Sequence, residues 1–321
     1  MFICPFCKTE YELPYCLNCG YTPGCIDDIW QMTDDPDIVT DGDGDKYIGY
    51  EYIGEAYSGA QKYVLGYPDG LFAKEISRIT GNGVFFDLGC GDGCFTVPAA
   101  QNGTKIIAAD ISNKMLKILK NRANRNDISL KNVTLCRMNA LNLSLADNAV
   151  DCVVSNSVLH LISRPEKVVR EIHRVLKPGG CFIVKDDRPG NTPGTPYDNS
   201  EYNIIVDELY GMYWKQLEQK GVNPTKYGWN FDRESLCAEL FAEKNEIVLP
   251  VQTEFIEKLK VGFLPRFLGK GFSDQVDVPV ELHDETVYEV IGQIKEKYGN
   301  DFDELAFHGI EPDIVMTVYK K

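Results

Sequence analysis

Short apolar runs alternate with helix-like stretches over residues 84–186, and this alternation limits the possible folds more than any other feature of the chain. Strands that read as continuous apolar runs are buried on both faces, as in a parallel sheet that helices cover on either side. We therefore predict an α/β fold with strands at residues 84–87, 105–110, 133–138, 150–155 and 181–186.

Helices are expected between these strands, and two of them carry start signals. Ser112 is a suitable N-cap for a helix over residues 112–125. Pro165 is tolerated in the first turn of a helix over residues 165–175. Beyond residue 187 the alternation breaks. The remaining predicted elements are helices at 69–80, 202–217 and 232–243 and strands at 246–254 and 313–319.

The composition is that of an ordinary globular protein with an acidic surface. Lys and Arg together number 33 and Asp and Glu 48, so the formal net charge is −15. Such a surface repels polyphosphate backbones, so DNA is not expected as a partner and general affinity for nucleic acids is disfavoured. No apolar stretch approaches the roughly 18 residues of a membrane span, and the first residues do not resemble a signal peptide. We expect a cytoplasmic protein with no membrane partner.

Three glycines, Gly89, Gly91 and Gly93, directly follow the first predicted strand. Glycines at the carboxyl edge of an open sheet let a ligand approach the backbone closely. A nicotinamide-type fingerprint has the spacing G-x-G-x-x-G, but the required third position holds Cys94 or Thr96 here. The spacing G-x-G-x-G therefore argues against a dinucleotide.

Three carboxylates border this loop: Asp87 precedes it, Asp92 lies inside it and Asp110 ends the second predicted strand. Acids in these places would repel a pyrophosphate, but they suit a ligand with a sulfonium and an ammonium group. A carboxylate placed like Asp110 can accept both ribose hydroxyls. S-adenosylmethionine combines these features and is the predicted cofactor.

The segment from residue 84 to about residue 186 resembles the class I S-adenosylmethionine-dependent methyltransferases. Their first motif matches Asp87-Leu-Gly-Cys-Gly-Asp-Gly93, and their acid after the second strand matches Asp110. Their adenine-contacting pair matches Asn139-Ala140, with Asn139 in place of the usual aspartate. The approach to the fourth strand matches residues 143–160, and the turn before the fifth matches residues 175–180.

The resemblance implies a Rossmann-like sheet of seven mostly parallel strands with helices on both faces and an inserted helical lid. It also implies a set of cofactor-binding residues in the glycine loop and the turns that follow the next strands. These are Asp87, Gly89, Cys90, Gly91, Gly93, Asp110, Ile111, Met115, Asn139, Ala140 and Asn156.

Methyl transfer is an in-line displacement, so the enzyme chiefly holds the nucleophile and the methyl group at reacting distance. A general base is optional, and candidates must project from the carboxyl ends of the fourth and fifth strands. The candidates are His160, Asp186 and Asp187, and packing or solvation is the alternative role of each. Similar methyltransferases cover the substrate with lids, which implies lid segments at residues 47–63, 187–230 and 255–300.

Two C-x-x-C knuckles near the N-terminus, Cys4-Pro-Phe-Cys7 and Cys16-Leu-Asn-Cys19, are separated by eight residues. Each knuckle presents two thiolates on a tight turn, and two turns complete a tetrahedral site. Four thiolates indicate a structural metal, and the pattern resembles a zinc ribbon over residues 1–26. We predict Zn²⁺ at Cys4, Cys7, Cys16 and Cys19, with iron or redox thiols as alternatives. Cys25 is a surplus cysteine that could replace one of these ligands.

The chain is thus divided into a zinc ribbon at residues 1–26, an acidic linker at 27–46 and a methyltransferase domain at 47–321. Three functions fit. The acidic surface and aromatic lid segments favour methyl transfer to a small-molecule acceptor. A ribosomal or transfer RNA base is the alternative acceptor, since zinc ribbons precede similar domains in ribosomal RNA guanine methyltransferases. A noncatalytic S-adenosylmethionine-binding protein is the third, since an intact glycine loop does not prove turnover.

Overall fold

The computed structural model describes residues 1–34, 38–40, 46–48, 69–185, 201–224, 230–251, 254–310 and 313–321. The strands in these ranges are β1 (Phe2–Ile3), β2 (Glu10–Tyr11), β3 (Gly24–Ile26), β4 (Ile29–Gln31), β5 (Ile38–Thr40), β6 (Lys46–Ile48), β7 (Val84–Leu88), β8 (Lys105–Asp110), β9 (Val133–Arg137), β10 (Val150–Val154), β11 (Leu176–Lys185), β12 (Glu243–Leu249), β13 (Glu254–Lys258), β14 (Ala306–Ile310) and β15 (Ile314–Lys320). The helices are α1 (Asp69–Thr80), α2 (Thr96–Gln101), α3 (Asn113–Arg125), α4 (Pro165–Val175), α5 (Glu201–Gln219), α6 (Arg233–Leu240), α7 (Phe263–Leu268) and α8 (Val280–Tyr298). Within these ranges, no helix has both the length and the apolar character that crossing a bilayer requires.

One large sheet organises the molecule, with the strand order β12-β15-β11-β10-β7-β8-β9-β4-β3. Strands β7 to β11 pair with one another in parallel, and β15 is antiparallel to both β11 and β12. The seven strands from β12 to β9 are the predicted Rossmann-like sheet, which is confirmed. Because β7 lies between β8 and β10, the carboxyl ends of β7 and β10 border the crevice where open α/β sheets bind ligands.

The other two strands of this sheet come from the N-terminal segment. β4 pairs in parallel with β9, with Ile29 opposite Leu135, and β3 pairs antiparallel with β4. The sheet therefore has nine strands rather than seven, and residues 29–31, at the start of the predicted acidic linker, form one of them. Three-residue strands are too short to show a hydrophobic period, and the surrounding aspartates concealed them. Residues 1–34 are termed the N-terminal module below.

Helices cover both faces of this sheet. Phe85 and Phe86 of β7 are both fully buried, yet they belong to two separate core clusters because successive strand residues point to opposite faces. The face of Phe85 packs against α1 and α3, and the face of Phe86 packs against α4. The buried helix residues in these layers include Phe72, Ile76, Leu116, Leu119, Val168, Val169 and Ile172.

The fifth strand of the methyltransferase-like region is longer than predicted. β11 begins at Leu176, so the Lys-Pro-Gly-Gly sequence lies inside the strand, and the pairing with β10 shifts register there. A Cβ atom on Gly180 would lie 2.9 Å from the carbonyl oxygen of Asp151. Only glycine lets the two backbones approach so closely, and the predicted turn is therefore a bulge within the strand.

A helical unit that follows β11 in the chain, termed the cap, consists of residues 201–224 and 254–310. Its helices α5, α7 and α8 bury a third apolar cluster, and β13 pairs antiparallel with β14 beside them. Members of this cluster include Tyr213, Trp214, Phe267, Val290 and Ile294. Of the lid segment predicted at residues 47–63, the structure describes only residues 47 and 48, which belong to β6. Residues 186–200 and 225–229 also lie outside the described residues.

Candidate functional site

The glycine loop after β7 turns sharply against the following elements. Gly89 has φ +72, in the left-handed region that favours glycine, and a Cβ atom there would overlap the Val158 side chain. Gly89 and Gly91 line a cavity at the end of the strand. Gly93 is not among the lining residues, and a Cβ atom there would lie 2.5 Å from Cγ of Leu119. Gly93 therefore serves the packing of the loop on α3.

Asp110 joins the glycine loop to the turn that follows β8. Its Oδ2 accepts a hydrogen bond from the backbone N–H of Gly91 at 2.9 Å, and its Oδ1 accepts one from Ser112 at 2.9 Å. Two backbone donors thus orient the carboxylate at the cavity wall. Each carboxylate oxygen can accept more than one hydrogen bond, so capacity remains for ligand hydroxyls.

Two further acids of this loop are buried, at 3% exposure for Asp87 and 6% for Asp92. Burial raises the pKa of Asp87 to about 7, although Thr96 Oγ1 donates a hydrogen bond to its Oδ2 at 2.5 Å and favours the charged form. Burial also raises the pKa of Asp92, and the guanidinium of Arg122 at 3.2 Å opposes this shift. Asp87 can therefore change charge near neutral pH.

A cavity of about 560 Å³ lies at the carboxyl ends of β7, β8 and β10. Ten of the eleven residues predicted to bind the cofactor line it, and Gly93 is the exception. The ten are Asp87, Gly89, Cys90, Gly91, Asp110, Ile111, Met115, Asn139, Ala140 and Asn156. The structure thus brings these residues together, and their contacts with a cofactor stay a prediction.

Asn156 and Asn139 contribute amide groups to the cavity wall. Oδ1 of Asn156 is buried and has no hydrogen-bond partner among the described residues, so it can accept a hydrogen bond from a ligand. Oδ1 of Asn139 accepts a hydrogen bond from the backbone N–H of Leu141 at 2.9 Å. The asparagine that replaces the usual aspartate therefore shapes its own turn beside Ala140.

Of the three predicted catalytic candidates, the structure describes only His160. It belongs to a short 3₁₀ helix, Leu159–Leu161, and it is one of the residues that line the cavity. Asp186 and Asp187 lie outside the described residues, so their role stays a prediction.

The cap closes the far end of the cavity with residues that sequence analysis did not single out. They are Val206, Asp207, Tyr210, Phe263, Arg266, Phe272, Ser273 and Asp274. The Tyr210 hydroxyl donates a hydrogen bond to Oδ1 of Asp274 at 2.5 Å, and its ring centroid lies 5.3 Å from that of Phe272. The helix predicted at residues 202–217 contains Val206, Asp207 and Tyr210, but no sequence pattern linked this helix to residues 263–274.

The four cysteines predicted to bind a metal are gathered in the N-terminal module. Their sulfur atoms all lie within 4.8 Å of one another, with 3.5 Å between Cys4 and Cys19 and 3.6 Å between Cys7 and Cys16. Zn–S bonds of about 2.3 Å in a tetrahedron place sulfur atoms about 3.8 Å apart, so the donor set fits Zn²⁺. Cys25 is exposed on β3 and lies outside this cluster.

A family model described as a methyltransferase domain matches residues 86–184, which run from β7 to β11 and include most of the cavity wall below the cap. The chain contains a class I S-adenosylmethionine-dependent methyltransferase domain. Its glycine loop, Asp110, Asn139 and His160 all lie in the matched region. The N-terminal module and the cap lie outside it.

Known proteins with similar sequences match mainly this domain. The uncharacterized protein YafE of Escherichia coli is 39% identical over 101 residues, which make up 32% of this chain and 46% of YafE. A demethylmenaquinone methyltransferase of Staphylococcus epidermidis is 25% identical over 190 residues, 58% of this chain and 77% of that protein. The solved structure of the YcgJ protein of Bacillus subtilis is 14% identical with a TM-score of 0.46, covering 79% of this chain and 97% of YcgJ. The alignment with YafE spans just under half of that protein's length.

Proposed function

We propose that this protein transfers the methyl group of S-adenosylmethionine to a small-molecule acceptor. One observation carries the proposal: a single cavity of about 560 Å³ joins the glycine loop and Asp110 to the aromatic side chains of the cap. Pockets of roughly 300–1,000 Å³ are typical of small-ligand sites. The cofactor and the acceptor would share this enclosed space.

The residues at the glycine-loop end suit S-adenosylmethionine, which supplies a methyl group on a positively charged sulfur. Asp110 would bind the ribose hydroxyls with its oriented carboxylate, and Asp87 would bind the ammonium group in its charged form. The unpartnered Oδ1 of Asn156 offers a further acceptor for a donor of the ligand. Acidic side chains at this end favour a cationic ligand over a phosphate-bearing one.

The residues at the cap end suit an acceptor with an apolar or planar part. Tyr210, Phe263 and Phe272 form a cluster of rings in edge and tilted contacts, which offers ring faces and excludes water. Exclusion of water favours the step, because the sulfonium charge disappears as the methyl group moves. His160 lines the same cavity and is the proposed general base for acceptors that must lose a proton. The name of the Staphylococcus epidermidis relative also supports a small-molecule acceptor.

The negative charge of the protein disfavours RNA as the acceptor. In the N-terminal module, Lys8 is the only Lys or Arg, while five acids stand at Glu10, Glu12, Asp27, Asp28 and Asp34. A surface that binds RNA through its phosphates needs more basic than acidic residues. Residues of the cap also line one end of the cavity, which favours an acceptor small enough to fit between the cap and the glycine loop.

We further propose that Cys4, Cys7, Cys16 and Cys19 bind one structural Zn²⁺. Four thiolate ligands leave no open coordination position, so the metal would support folding rather than catalysis. Thiolate ligands must stay reduced to bind the metal, which supports a reducing compartment and therefore a cytoplasmic location.

Calorimetric titration with S-adenosylmethionine, and separately with NAD, tests the cofactor assignment. We expect a micromolar dissociation constant for S-adenosylmethionine and no measurable binding of NAD. Incubation with labelled cofactor and pools of small molecules or of total RNA then identifies the acceptor class by the fraction that becomes labelled. Labelling of RNA alone would contradict the small-molecule proposal, and binding without any labelling would favour the noncatalytic alternative.

A further inference from the structure

We propose that the N-terminal module is part of the cofactor site: it holds the loops that flank the adenosine half of the cofactor, and Arg137 is the positioning residue that links them. The inference rests on the proposed function, because it concerns the same S-adenosylmethionine site and the same Zn²⁺. It assigns the module a role that neither the methyltransferase fold nor the cysteine pattern implies.

The module is hydrogen-bonded along the loop that carries Asn139 and Ala140. The backbone N–H of Ile3 donates to the carbonyl of Ser144 at 3.1 Å, and that of Ala146 donates to Met1 at 2.9 Å. The hydroxyl of Ser144 also donates to the carbonyl of Met32 at 3.3 Å. Residues 138–146 thus lie against the start of the module and the residue after β4.

Arg137 connects this arrangement to the loop that follows Asp110. Its Nε donates to the carbonyl of Ile111 at 2.9 Å, and its Nη1 donates to the carbonyl of Thr33 at 3.1 Å. The carbonyl of Arg137 accepts a hydrogen bond from Met32 at 2.9 Å. One side chain therefore ties the end of the module to the residue next to the ribose-binding carboxylate.

A second polar contact joins the module to α3. Gln31 Nε2 donates to Oδ1 of Asn113 at 3.0 Å, and Asn113 Nδ2 donates back to Oε1 of Gln31 at 3.3 Å. Asn113 is the first residue of α3, and Met115 two residues later lines the cavity. The module thus contacts all three segments around the adenosine end of the site.

The metal-ligating cysteines belong to the same packing. Cys4 and Cys16 are fully buried, and they share a core cluster with Phe2, Tyr11 and Leu145. That cluster also includes Met138, Leu141 and Leu143, which belong to the loop at residues 138–146. A module of 34 residues cannot bury a sufficient core of its own, so its order depends on the metal and on this contact.

Two consequences follow for binding. Removal of Zn²⁺ loosens the module, and the loops at 111–113 and 138–146 then have to be ordered by the cofactor itself, which weakens its binding. Linkage is reciprocal, so bound S-adenosylmethionine raises the affinity of the module for Zn²⁺ by the same factor. Both effects concern binding and are measurable without turnover.

The experiment compares Arg137→Met with Arg125→Met, a matched control on the exposed end of α3. For each we measure the calorimetric dissociation constant for S-adenosylmethionine, the zinc content by elemental analysis and hydrogen–deuterium exchange. We expect Arg137→Met to raise the dissociation constant about tenfold and to speed exchange in 138–146, with zinc content unchanged. Arg125→Met should match the wild type in all three. Should Arg137→Met not fold, Arg137→Lys replaces it, since one ammonium cannot donate to both carbonyls in the same geometry.

Metal removal provides the second arm, with the wild-type protein and a chelator. We expect the dissociation constant for S-adenosylmethionine to rise about tenfold and exchange in 138–146 to become faster. In competition with the chelator, the dissociation constant for zinc should fall by a similar factor when the cofactor is present. A wild type that binds no S-adenosylmethionine overturns the proposed function. If the wild type binds S-adenosylmethionine, and Arg137→Met (or Arg137→Lys) and the zinc-free protein bind it equally well, only the present inference is overturned.

Discussion

The backbone N–H of Gly91 and the carboxylate of Asp110 form a 2.9 Å hydrogen bond across the carboxyl ends of β7 and β8. The two residues are 19 positions apart in the chain, so the bond joins the glycine loop and the turn after β8 into a single structural unit. A change at Asp110 is therefore expected to affect both the ligand contact and the loop that faces it.

Asp110→Asn tests this unit. The amide keeps the shape of the side chain, but it loses the charge and presents an NH₂ group either to Gly91 or to Ser112, both of which are donors. We expect the dissociation constant for S-adenosylmethionine to rise about 10- to 100-fold, as for the loss of a charged hydrogen bond. The exposed Asp127→Asn is the matched control. Equal affinity of both variants by calorimetry would remove Asp110 from the site.

If Asp87 binds the ammonium group as proposed, its pKa of about 7 is expected to make the affinity for the cofactor depend on pH. Only the charged carboxylate attracts the ammonium group, and it becomes protonated as the pH falls through this value. Affinity should therefore be full above about pH 8 and should decline by up to about tenfold per pH unit below pH 7. Titrations between pH 5.5 and 8.5 measure the profile.

Thr96→Val distinguishes Asp87 from other titrating groups in that experiment. The threonine hydroxyl favours the charged carboxylate, so its removal raises the pKa of Asp87 further and moves the affinity profile to higher pH. Thr104→Val is the control, since Thr104 is also buried but donates to Ser77. A profile that is the same in Thr96→Val and the wild type would assign the pH dependence to another group.

Cys4→Ser should abolish metal binding by the N-terminal module. The wild type is expected to carry about one zinc per chain, and the variant close to none, because a tetrahedral all-thiolate site does not tolerate the loss of a ligand. The thermal unfolding temperature should also fall. Cys25→Ser removes an exposed thiol outside the cluster and should change neither value. Iron in place of zinc in the elemental analysis would support the alternative metal.

Phe272→Ala tests the acceptor end of the cavity. The ring lies within the aromatic cluster of the cap, and the cation of Arg266 lies 4.5 Å from its centroid. Once the labelling screen has identified the acceptor, kcat/KM for it should fall at least about tenfold, while the dissociation constant for the cofactor stays within about twofold. Tyr288→Ala, an 83% exposed ring on α8, is the control. Equal loss of cofactor binding in Phe272→Ala would place the ring at the cofactor end instead.

Arg122→Met should destabilise the methyltransferase domain. Arg122 and Asp92 form a 3.2 Å ion pair whose side chains are 11% and 8% exposed. Removal of one partner leaves a buried charge, at a cost of about 3–5 kcal/mol, which urea unfolding measures. Arg122→Met combined with Asp92→Asn should recover part of the loss. If Arg122→Met alone is as stable as the exposed control Arg125→Met, solvent already compensates the charge of Asp92.

Much of the methyltransferase domain was predictable because its signals are local. Ser112 caps α3 as expected, accepting a hydrogen bond from the backbone N–H of Met115 at 3.2 Å. Pro165 occupies the first turn of α4, and the predicted strand at 105–110 coincides with β8. Caps, proline positions and apolar runs each depend on a few neighbouring residues, so the amino-acid sequence alone is enough to predict them.

The remaining features depend on contacts between distant parts of the chain. The Tyr210–Asp274 hydrogen bond joins residues 64 positions apart, and the contacts of Arg137 reach back 104 residues to Thr33. The strand β4 is three residues long, and its identity depends on the edge of β9 that it covers. No local period marks such residues, because their partners are brought near only when the whole chain folds.

The sequence by itself determined the parallel sheet, the glycine loop with its acids and the four-cysteine cluster, since periodicity, backbone freedom and ligand spacing are properties of short segments. Only the tertiary structure decided that the N-terminal module extends the sheet, that residues of the cap line the cavity and that burial raises the pKa of Asp87. Burial, enclosure and long-range pairing are properties of packed surfaces, and these arise only when segments far apart in the chain meet.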